Sequence, residues 1–265
     1  MASPDSRSTA AEEPLIAVFV DFENLAIGVR DMKAGKFQIQ LVLKRLLEKG
    51  RIVFKRAYCD WRNYEEAVRE FHTQGVELID IPQSKMSGKN SADIRMVVDA
   101  LDLCYSKQHI DVFALISGDS DFSPLVSKLK ENNKRVIGCG VKRSTSDLLI
   151  VNCDEFIYYD DLIRVAEKTL AKEGKPKGGR EAKGDKKQEA IDRMLEVIHS
   201  VGQDYDPLWG SILKQAIRRV FPGFNEGYYG YRSFSDLLKD LKTKGLIELE
   251  YDESRGNFKV RLTKE

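Results

Sequence analysis

From Leu15 onward, the chain alternates between short, almost continuous apolar runs and longer segments with helical periodicity. The run LIAVFV at 15–20 is typical of a strand that is buried on both faces. The segment IQLVLKRLLEKG at 39–50 spaces its apolar residues along one face of a helix and ends at a glycine. The further predicted strands are RIVFKRAY, VELIDI, VFALIS, RVIGCG and EFIYY, and the further predicted helices are WRNYEEAVREFHTQG, SADIRMVVDALDLCYS, SPLVSKLKENN and STSDLLIVN. Strands that alternate with helices predict an α/β fold, with a mostly parallel sheet and helices on both of its faces.

Outside this alternation, the chain contains three further parts. Residues 1–14 are small, polar and acidic, which predicts disorder. Residues 165–187 are rich in Lys and Gly without apolar periodicity, which predicts a flexible basic linker that is either a plain spacer or an arm contacting phosphates. Residues 188–265 carry three helical patterns and a hairpin pattern turning near Ser254, as is typical of a small winged-helix domain. The α/β domain is therefore expected to occupy residues 15–164.

The composition is that of an ordinary globular protein, with 42% hydrophobic and 32% charged residues among 265. The formal net charge of +1 gives the whole chain no strong attraction to polyanions, so any affinity for nucleic acid must come from local patches. The four cysteines form no CxxC pair and the three histidines are scattered, which favours reduced, buried thiols over a zinc site or a disulfide framework. The N-terminus has no apolar signal core, and the early apolar run is too short to cross a bilayer. We therefore expect a soluble, cytoplasmic protein without a membrane segment.

Several carboxylates fall where the strands of the predicted sheet end. Asp21 directly follows the first strand, and Asp119 follows the fourth strand in a Ser-Gly-Asp turn. Ligands of open parallel sheets bind beyond the carboxyl ends of the strands, near the point where the strand order reverses. Asp21 and Asp119 face one crevice if strands one and four are neighbours. Asp93, in the first turn of the helix after strand three, and Asp121, at the next helix start, are expected at the same edge.

Some residues near this edge also have simpler explanations. Asp121 is as suited to capping the following helix as to chemistry, and Ser91 is a good candidate N-cap for the helix of Asp93. Asn24 could cap a helix or orient a water molecule. Asp60, after the second strand, could join the site, but a role in a turn is favoured.

Clustered carboxylates need protons or a cation between them. Two carboxylates about 4 Å apart repel each other by about 4 kcal/mol at an effective dielectric constant near 20. Hard divalent ions prefer oxygen ligands, and no set of cysteine and histidine residues competes here, so Mg²⁺ or Mn²⁺ is expected. Ions held in this way can activate a water molecule and stabilise an in-line attack on a phosphodiester.

Basic residues at the same edge are candidates for contacts with a substrate strand. Lys85 and Lys89 lie in the polar run SKMSGKN before the helix of Asp93, and Lys142 and Arg143 follow the fifth strand. Phosphate contacts from such residues position a strand without reading its sequence. Each residue alone is equally well explained as a solvated surface charge.

Taken together, these motifs resemble the NYN family, the LabA-like branch of the PIN-like nucleases. The resemblance covers about residues 15–163 and is carried by VFVDFENL, SADIRMVVDALDL, ISGDSDFSPLV and RSTSDLLIVNCDEFI. It implies a PIN-like Rossmannoid fold and metal-dependent cleavage of RNA. By matched position it implies that the metal-binding carboxylates are Asp21, Asp93 and Asp119, that Asn24 and Asp121 support catalysis, and that Ser117 contacts the substrate. Many relatives carry Gly before the helical Asp, where this chain has Ser91-Ala92.

The C-terminal segment resembles the LOTUS (OST-HTH) family, a small winged helix associated with binding of RNA or protein. The resemblance is carried by Trp209, FPGF at 221–224 and YYGYRSFSDLL at 228–238. The aromatic cluster of Tyr228, Tyr229 and Tyr231 is expected either to pack in the core and loops or to stack on bases. The basic residues that could hold phosphates are Arg218, Arg219 and Arg232.

The leading hypothesis is an RNA endonuclease that acts on single-stranded RNA and carries a C-terminal RNA-binding module. The alternative is a catalytically weak RNA-binding or regulatory protein that keeps the fold, although its acidic set is intact. A metal-dependent phosphatase is less favoured, because the common Asp-x-Asp nucleophile motif after strand one reads Asp21-Phe22-Glu23 here. A homo-oligomer and a protein partner for residues 188–265 stay open.

Overall fold

The N-terminal half of the chain forms a six-stranded parallel sheet. The structure, a computed structural model, describes residues 13–32, 36–82, 90–173 and 183–263. The strands are β1 (Leu15–Asp21), β2 (Arg51–Cys59), β3 (Glu77–Asp80), β4 (Val112–Ile116), β5 (Arg135–Gly140) and β6 (Glu155–Tyr158). Their order is β3-β2-β1-β4-β5-β6, and all the pairings are parallel. The order reverses between β1 and β4, so the expected neighbourhood of strands one and four is confirmed.

Helices connect these strands. They are α1 (Phe22–Met32), α2 (Ile39–Lys49), α3 (Glu65–Thr73), α4 (Ser91–Ser106), α5 (Ser123–Glu131), α6 (Asp147–Asn152) and α7 (Tyr159–Glu173), with single 3-10 turns at Trp61–Asn63 and Ser120–Phe122. The alternation pattern did not predict α1, whose buried residues include Gly28 in the helix interior. The predicted cap of α4 was wrong: Ser91 is the first helical residue, and Asn90 holds the cap position without a side-chain bond.

Buried side chains cover both faces of the central strand β1. Ala17 and Phe19 belong to a core cluster that includes residues of α4 and α5. The intervening Ile16, Val18 and Val20 are also fully buried. Since successive side chains of a strand point to opposite faces, both faces of the sheet are covered, as the α/β pattern predicted.

The chain divides into two compact units. Among the described residues, one unit holds those up to Phe37 together with Gly50–Tyr159. The other unit holds Gln38–Lys49, which contains α2, together with the residues from Asp160 onward. Two helices extend into the expected linker of residues 165–187, because α7 continues to Glu173 and the next helix begins at Lys183.

The C-terminal part is a small helical domain with a three-stranded antiparallel sheet. Its elements are α8 (Lys183–Val201), β7 (Leu208–Trp209), α9 (Gly210–Val220), α10 (Phe234–Thr243), β8 (Ile247–Asp252) and β9 (Asn257–Leu262), with strand order β7-β9-β8. Three helices and a terminal hairpin agree with the predicted winged helix, whereas the short β7 was not predicted. Gly256 takes a positive φ of 59° in the hairpin turn, a conformation that glycine adopts without strain.

The cysteines are free thiols, as expected. Cys59, Cys104 and Cys139 are buried, and Cys153 is half-buried. No helix in the described ranges combines the length and apolarity that a membrane-spanning segment requires.

Candidate functional site

The carboxyl ends of β1 and β4 are joined by a hydrogen bond between buried side chains. Asp21 is the last residue of β1, and its Oδ2 accepts a hydrogen bond of 2.8 Å from Oγ of Ser117, directly after β4. Oδ1 of Asp21 accepts a bond of 3.3 Å from the backbone N–H of Asn24. Asp21 therefore also acts as the N-cap of α1, where the positive end of the helix dipole favours a negative charge.

Further hydrogen bonds hold the turn after β4 against the start of α1. The side-chain oxygen of Asn24 accepts from the backbone N–H of Gly118 at 2.9 Å, and the N–H of Asp119 donates to Oγ of Ser117 at 3.1 Å. Gly118 approaches the chain that follows β5 so closely that an added Cβ would lie 2.8 Å from the carbonyl oxygen of Ser144. Asn24 thus links the start of α1 to the turn after β4, a contact that the sequence did not suggest.

Asp119 caps the 3-10 turn that leads into α5. Its Oδ1 accepts from the backbone N–H of Asp121 at 2.9 Å. The helix cap considered for Asp121 is not formed, because Phe122 holds the cap position of α5 without a side-chain bond. Pro124 lies in the first turn of α5 as expected. The exposed carboxylate of Asp121 is therefore not used for capping.

Asp93 and Asp119 lie close enough to Asp21 for their charges to affect its pKa. Burial raises the pKa of Asp21 to about 7, and the charges of Asp93 and Asp119 add to the rise, while the hydrogen bonds from Ser117 and Asn24 oppose it. Burial also raises the pKa of Asp93, in the first turn of α4, and nearby acidic charges raise it further. In order of effect, those charges are Asp119, Asp121 and Glu23.

Glu23 is the residue of this edge that sequence reasoning missed. It follows Asp21 by two positions, and its charge raises the pKa values of both Asp93 and the Cys59 thiol. Burial is the larger cause for Cys59, whose pKa rises to about 12, so this thiol stays protonated. The available signal was the motif Asp21-Phe22-Glu23, which was weighed only as an argument against a phosphatase.

The donor set fits a hydrated divalent ion better than a closed protein cage. Within the described ranges, no three His, Cys, Asp or Glu side chains are grouped closely enough to hold a metal ion by themselves. Mg²⁺ usually keeps several water ligands and takes one or two carboxylates from the protein, together with substrate phosphates. The buried Asp21 and the half-buried Asp93 and Asp119 suit such an ion, because its charge would relieve the repulsion between their carboxylates.

The basic residues expected to contact the substrate are only partly described. Lys142 and Arg143 are exposed in the turn after β5, next to Ser144, whose carbonyl faces Gly118. The ammonium of Lys142 also lies 5.5 Å from the centroid of the Tyr158 ring. Lys85 and Lys89 lie outside the described residues.

Two acidic residues near this edge have structural partners. Asp60 caps the 3-10 turn at Trp61–Asn63 and pairs with Arg62, so the predicted turn role is confirmed. Asp99, further along α4, accepts hydrogen bonds from Arg56 and Tyr58.

A groove of about 710 Å³ adjoins the carboxylates. It lies between α4, the 3-10 turn at Ser120–Phe122, α5 and α6. Asp93 and Asp121 line it, together with apolar residues of the three helices.

Comparisons with known proteins identify both parts of the chain. A family model described as the NYN domain matches residues 15–161, and one described as the OST-HTH/LOTUS domain matches residues 186–257. An uncharacterized protein of Methanocaldococcus jannaschii is 28% identical over 165 residues, and the match covers 62% of this chain and 63% of that relative. This chain thus spans less than two thirds of that relative's length. A crystal structure of a protein of unknown function from Vibrio parahaemolyticus is similar with a TM-score of 0.51 and 28% identity, covering 58% of this chain and 97% of that one.

Proposed function

Because the chain belongs to the NYN family, within the PIN-like nuclease superfamily, and joins that domain to an OST-HTH/LOTUS domain, we propose that it is a metal-dependent endoribonuclease. The pair of domains supports a role of the ribonuclease type or in RNA binding. The finer proposal is that the carboxylates at the ends of β1 and β4 cut single-stranded RNA, and that the C-terminal domain binds RNA.

The observation that carries this proposal is the buried carboxylate Asp21 at the strand-order switch. Burial and the charges of Asp93 and Asp119 raise its pKa to about 7. A negative charge there is unfavourable for folding even though the side chain also caps α1 and accepts a hydrogen bond from Ser117, and a bound cation would offset that cost. The position is also where open parallel sheets bind ligands.

We assign the metal to Asp21, Asp93 and Asp119. When bound, Mg²⁺ or Mn²⁺ supplies charge neutralisation at the phosphodiester and lowers the pKa of a coordinated water. The chain's own residues orient the carboxylates: Ser117 and the N–H of Asn24 hold Asp21, and the N–H of Asp121 holds Asp119. Exposed Lys142 and Arg143 bind phosphates of the strand on either side of the cut.

The test is cleavage of labelled linear and circular single-stranded RNA by the full chain in Mg²⁺, Mn²⁺ or excess chelator. We expect cleavage of both RNAs with either metal and none in chelator, because a circular RNA has no end for an exonuclease. Asp119→Asn should lower the rate at least about 100-fold, since it keeps shape but loses charge. Asp102→Asn, an exposed carboxylate further along α4, is the matched control and should cut normally. Cleavage that survives chelator, or an Asp119→Asn variant as active as Asp102→Asn, overturns the metal mechanism.

One observation favours the second candidate, a catalytically weak RNA-binding protein. In the part of the chain that the structure describes, no three acidic or other ligating side chains form a ready-made metal site. This candidate predicts RNA binding without cleavage in any metal. A phosphatase instead predicts rapid hydrolysis of a small aryl phosphate, which the nuclease should leave intact.

Free thiols in all four cysteines fit the reducing cytoplasm that we propose as the location.

A further inference from the structure

The groove beside the carboxylates has apolar walls that the catalytic proposal does not use. Its apolar lining comes from residues of α4, α5 and α6, namely Ile94, Val97, Val98, Pro124 and Leu148. Three of these side chains are more than half exposed: Ile94 at 63%, Val98 at 55% and Leu148 at 56%. Large apolar side chains gathered in an exposed groove are typical of a surface that contacts a ligand or partner.

The charges of the groove restrict what it can hold. Among the described residues, the charged side chains that line it are those of Asp93 and Asp121, both acidic, and they repel an anion from its interior. A neutral group with flat apolar faces and hydrogen-bonding edges matches apolar walls and an acidic end. A nucleobase has these properties, since its faces stack on or pack against apolar side chains and its edges carry donors.

A hydroxyl group in the lining lacks a partner. Ser123, at the start of α5, lines the groove and is 93% buried, being 7% exposed. Its Oγ has no hydrogen-bond partner within the described residues. Buried polar groups are nearly always paired, so the unpaired Oγ is unusual, but it is enclosed by protein and a ligand would reach it only if the start of α5 moved.

We propose that this groove holds one unpaired nucleobase of the RNA, next to the phosphodiester at the carboxylates. The inference rests on the proposed function and adds a subsite to it. A base inside a duplex would have to leave its stack to enter, so the groove favours single strands over duplexes. Asp93 and Asp121 belong to both the groove and the carboxylate cluster, which places the base adjacent to the scissile bond.

The test compares intact RNA with RNA that lacks single bases. Binding is measured by fluorescence anisotropy in the full chain carrying Asp119→Asn, which prevents cleavage. The probes are a short single-stranded RNA and a set in which an abasic residue replaces each nucleotide in turn. One abasic position should weaken binding to this parent about five- to fiftyfold.

The groove variants are Ile94→Ser and Leu148→Ser in the same background. Each variant should bind the intact RNA about five- to tenfold more weakly than the parent does. Each should bind the most affected abasic RNA as tightly as the parent does, because that RNA lacks the base that would contact the groove. Val151→Ser is the matched control: it is an exposed apolar residue of α6, 75% exposed, that does not line the groove.

The possible failures are distinguishable. If the groove variants keep the parent's full abasic penalty while the unmutated chain still cuts RNA, the groove holds no base and the proposed function survives. If the unmutated chain neither binds nor cuts RNA, the proposed function fails and the base subsite with it. If Ile94→Ser and Leu148→Ser leave RNA binding unchanged but abolish self-association in sedimentation, the groove is an interface between copies of this chain, and the inference is overturned.

Discussion

At the residue scale, Asp21 is a carboxylate whose surroundings disfavour its negative charge. It is 7% exposed, it accepts hydrogen bonds from Ser117 and Asn24, and the neighbouring carboxylates of Asp93 and Asp119 repel its negative charge. These effects together raise its pKa from an ordinary value of 3.8 to about 7. The folded chain therefore binds this proton more tightly than the unfolded chain does.

The first prediction follows from that difference. The stability that protonated Asp21 contributes to the fold is fully present below pH 4 and is lost as the pH rises through 7. The reason is that the unfolded chain releases this proton at a lower pH than the folded chain does. Asp21→Asn should therefore stabilise the metal-free protein at pH 8, by about 2 to 4 kcal/mol, and give little gain at pH 4. Urea unfolding in chelator at pH 4, 6 and 8 measures this difference.

The control is Asp121→Asn, which removes an exposed charge and should give a much smaller gain at pH 8. Adding Mg²⁺ at pH 8 should raise the melting temperature of the unmutated chain more than that of Asp21→Asn, since the ion replaces the lost proton. An Asp21→Asn variant that is less stable than the unmutated chain at pH 8 would contradict the prediction that the charge of Asp21 destabilises the fold.

At the element scale, the end of α2 is capped by an arginine far along the chain. Nε of Arg219 on α9 donates to the carbonyl oxygen of Leu47 at 2.6 Å, and Nη2 donates to that of Glu48 at 2.8 Å. The last carbonyls of a helix have no partner within the helix, and an arginine at that end also favours the helix dipole. The sequence had suggested Arg219 as a phosphate contact, whereas the structure shows it engaged with backbone oxygens.

The second prediction separates Arg219 from its neighbour Arg218. Arg219→Ala should lower the free energy of unfolding by about 1.5 to 3 kcal/mol, because it removes charged hydrogen bonds to partly buried carbonyls. Arg218→Ala is the matched control: its side chain is exposed and lies 3.6 Å from Glu226, so it should change stability by less than about 1 kcal/mol. Urea unfolding of both variants decides the matter, and equal losses would mean that the capping contacts contribute no stability.

The three tyrosines of the C-terminal aromatic cluster differ in burial. Tyr229 and Tyr231 are buried, and the hydroxyl of Tyr231 donates to Oδ2 of Asp240 at 2.6 Å. Tyr228 is 60% exposed, with the ammonium of Lys186 4.5 Å from its ring centroid. The expectation of core packing is therefore confirmed for two of the three rings, and Tyr228 is the exposed one.

At the scale of the whole molecule, the proposal assigns cleavage to one domain and additional RNA binding to the other. The third prediction is that Tyr228→Ala in the full chain raises the KM for RNA about fivefold or more and leaves kcat unchanged, because the role proposed for this ring is to stack on RNA and not to take part in cleavage. Steady-state cleavage of single-stranded RNA measures both constants. Binding should also weaken as salt rises, since the contacts proposed for Lys142 and Arg143 are to phosphates.

Tyr105→Ala is the control for this prediction. Tyr105 is 58% exposed and lies near the end of α4, about 18 Å along the helix from Asp93 at 1.5 Å per residue. Its loss should alter neither constant. If Tyr228→Ala behaves like Tyr105→Ala, the C-terminal domain is better explained as a protein-binding module.

The sequence alone determined the α/β architecture, the winged helix and the carboxylates at the strand ends. These features depend on local information, namely the two-residue period of strands, the 3.6-residue period of helices and the position of a residue relative to a strand end. Helix α1 was not among the predicted helices, and its interior holds Gly28, a residue of low helix propensity. The close approach of Ser144 accounts for a glycine at this position, because an added Cβ would lie 2.6 Å from Oγ of Ser144.

Only the tertiary structure decided which partner each polar group takes. Ser117 lies 96 residues from Asp21, and Arg219 lies 172 residues from Leu47, so no local pattern could pair them. The same limit applies to burial: Tyr228 and Tyr229 are adjacent in sequence, but only packing against distant elements places one in solvent and the other in the core. Hydrogen bonding, burial and pKa depend on neighbours in space, and those neighbours are set by how the sheet order and helix packing bring distant parts of the chain together.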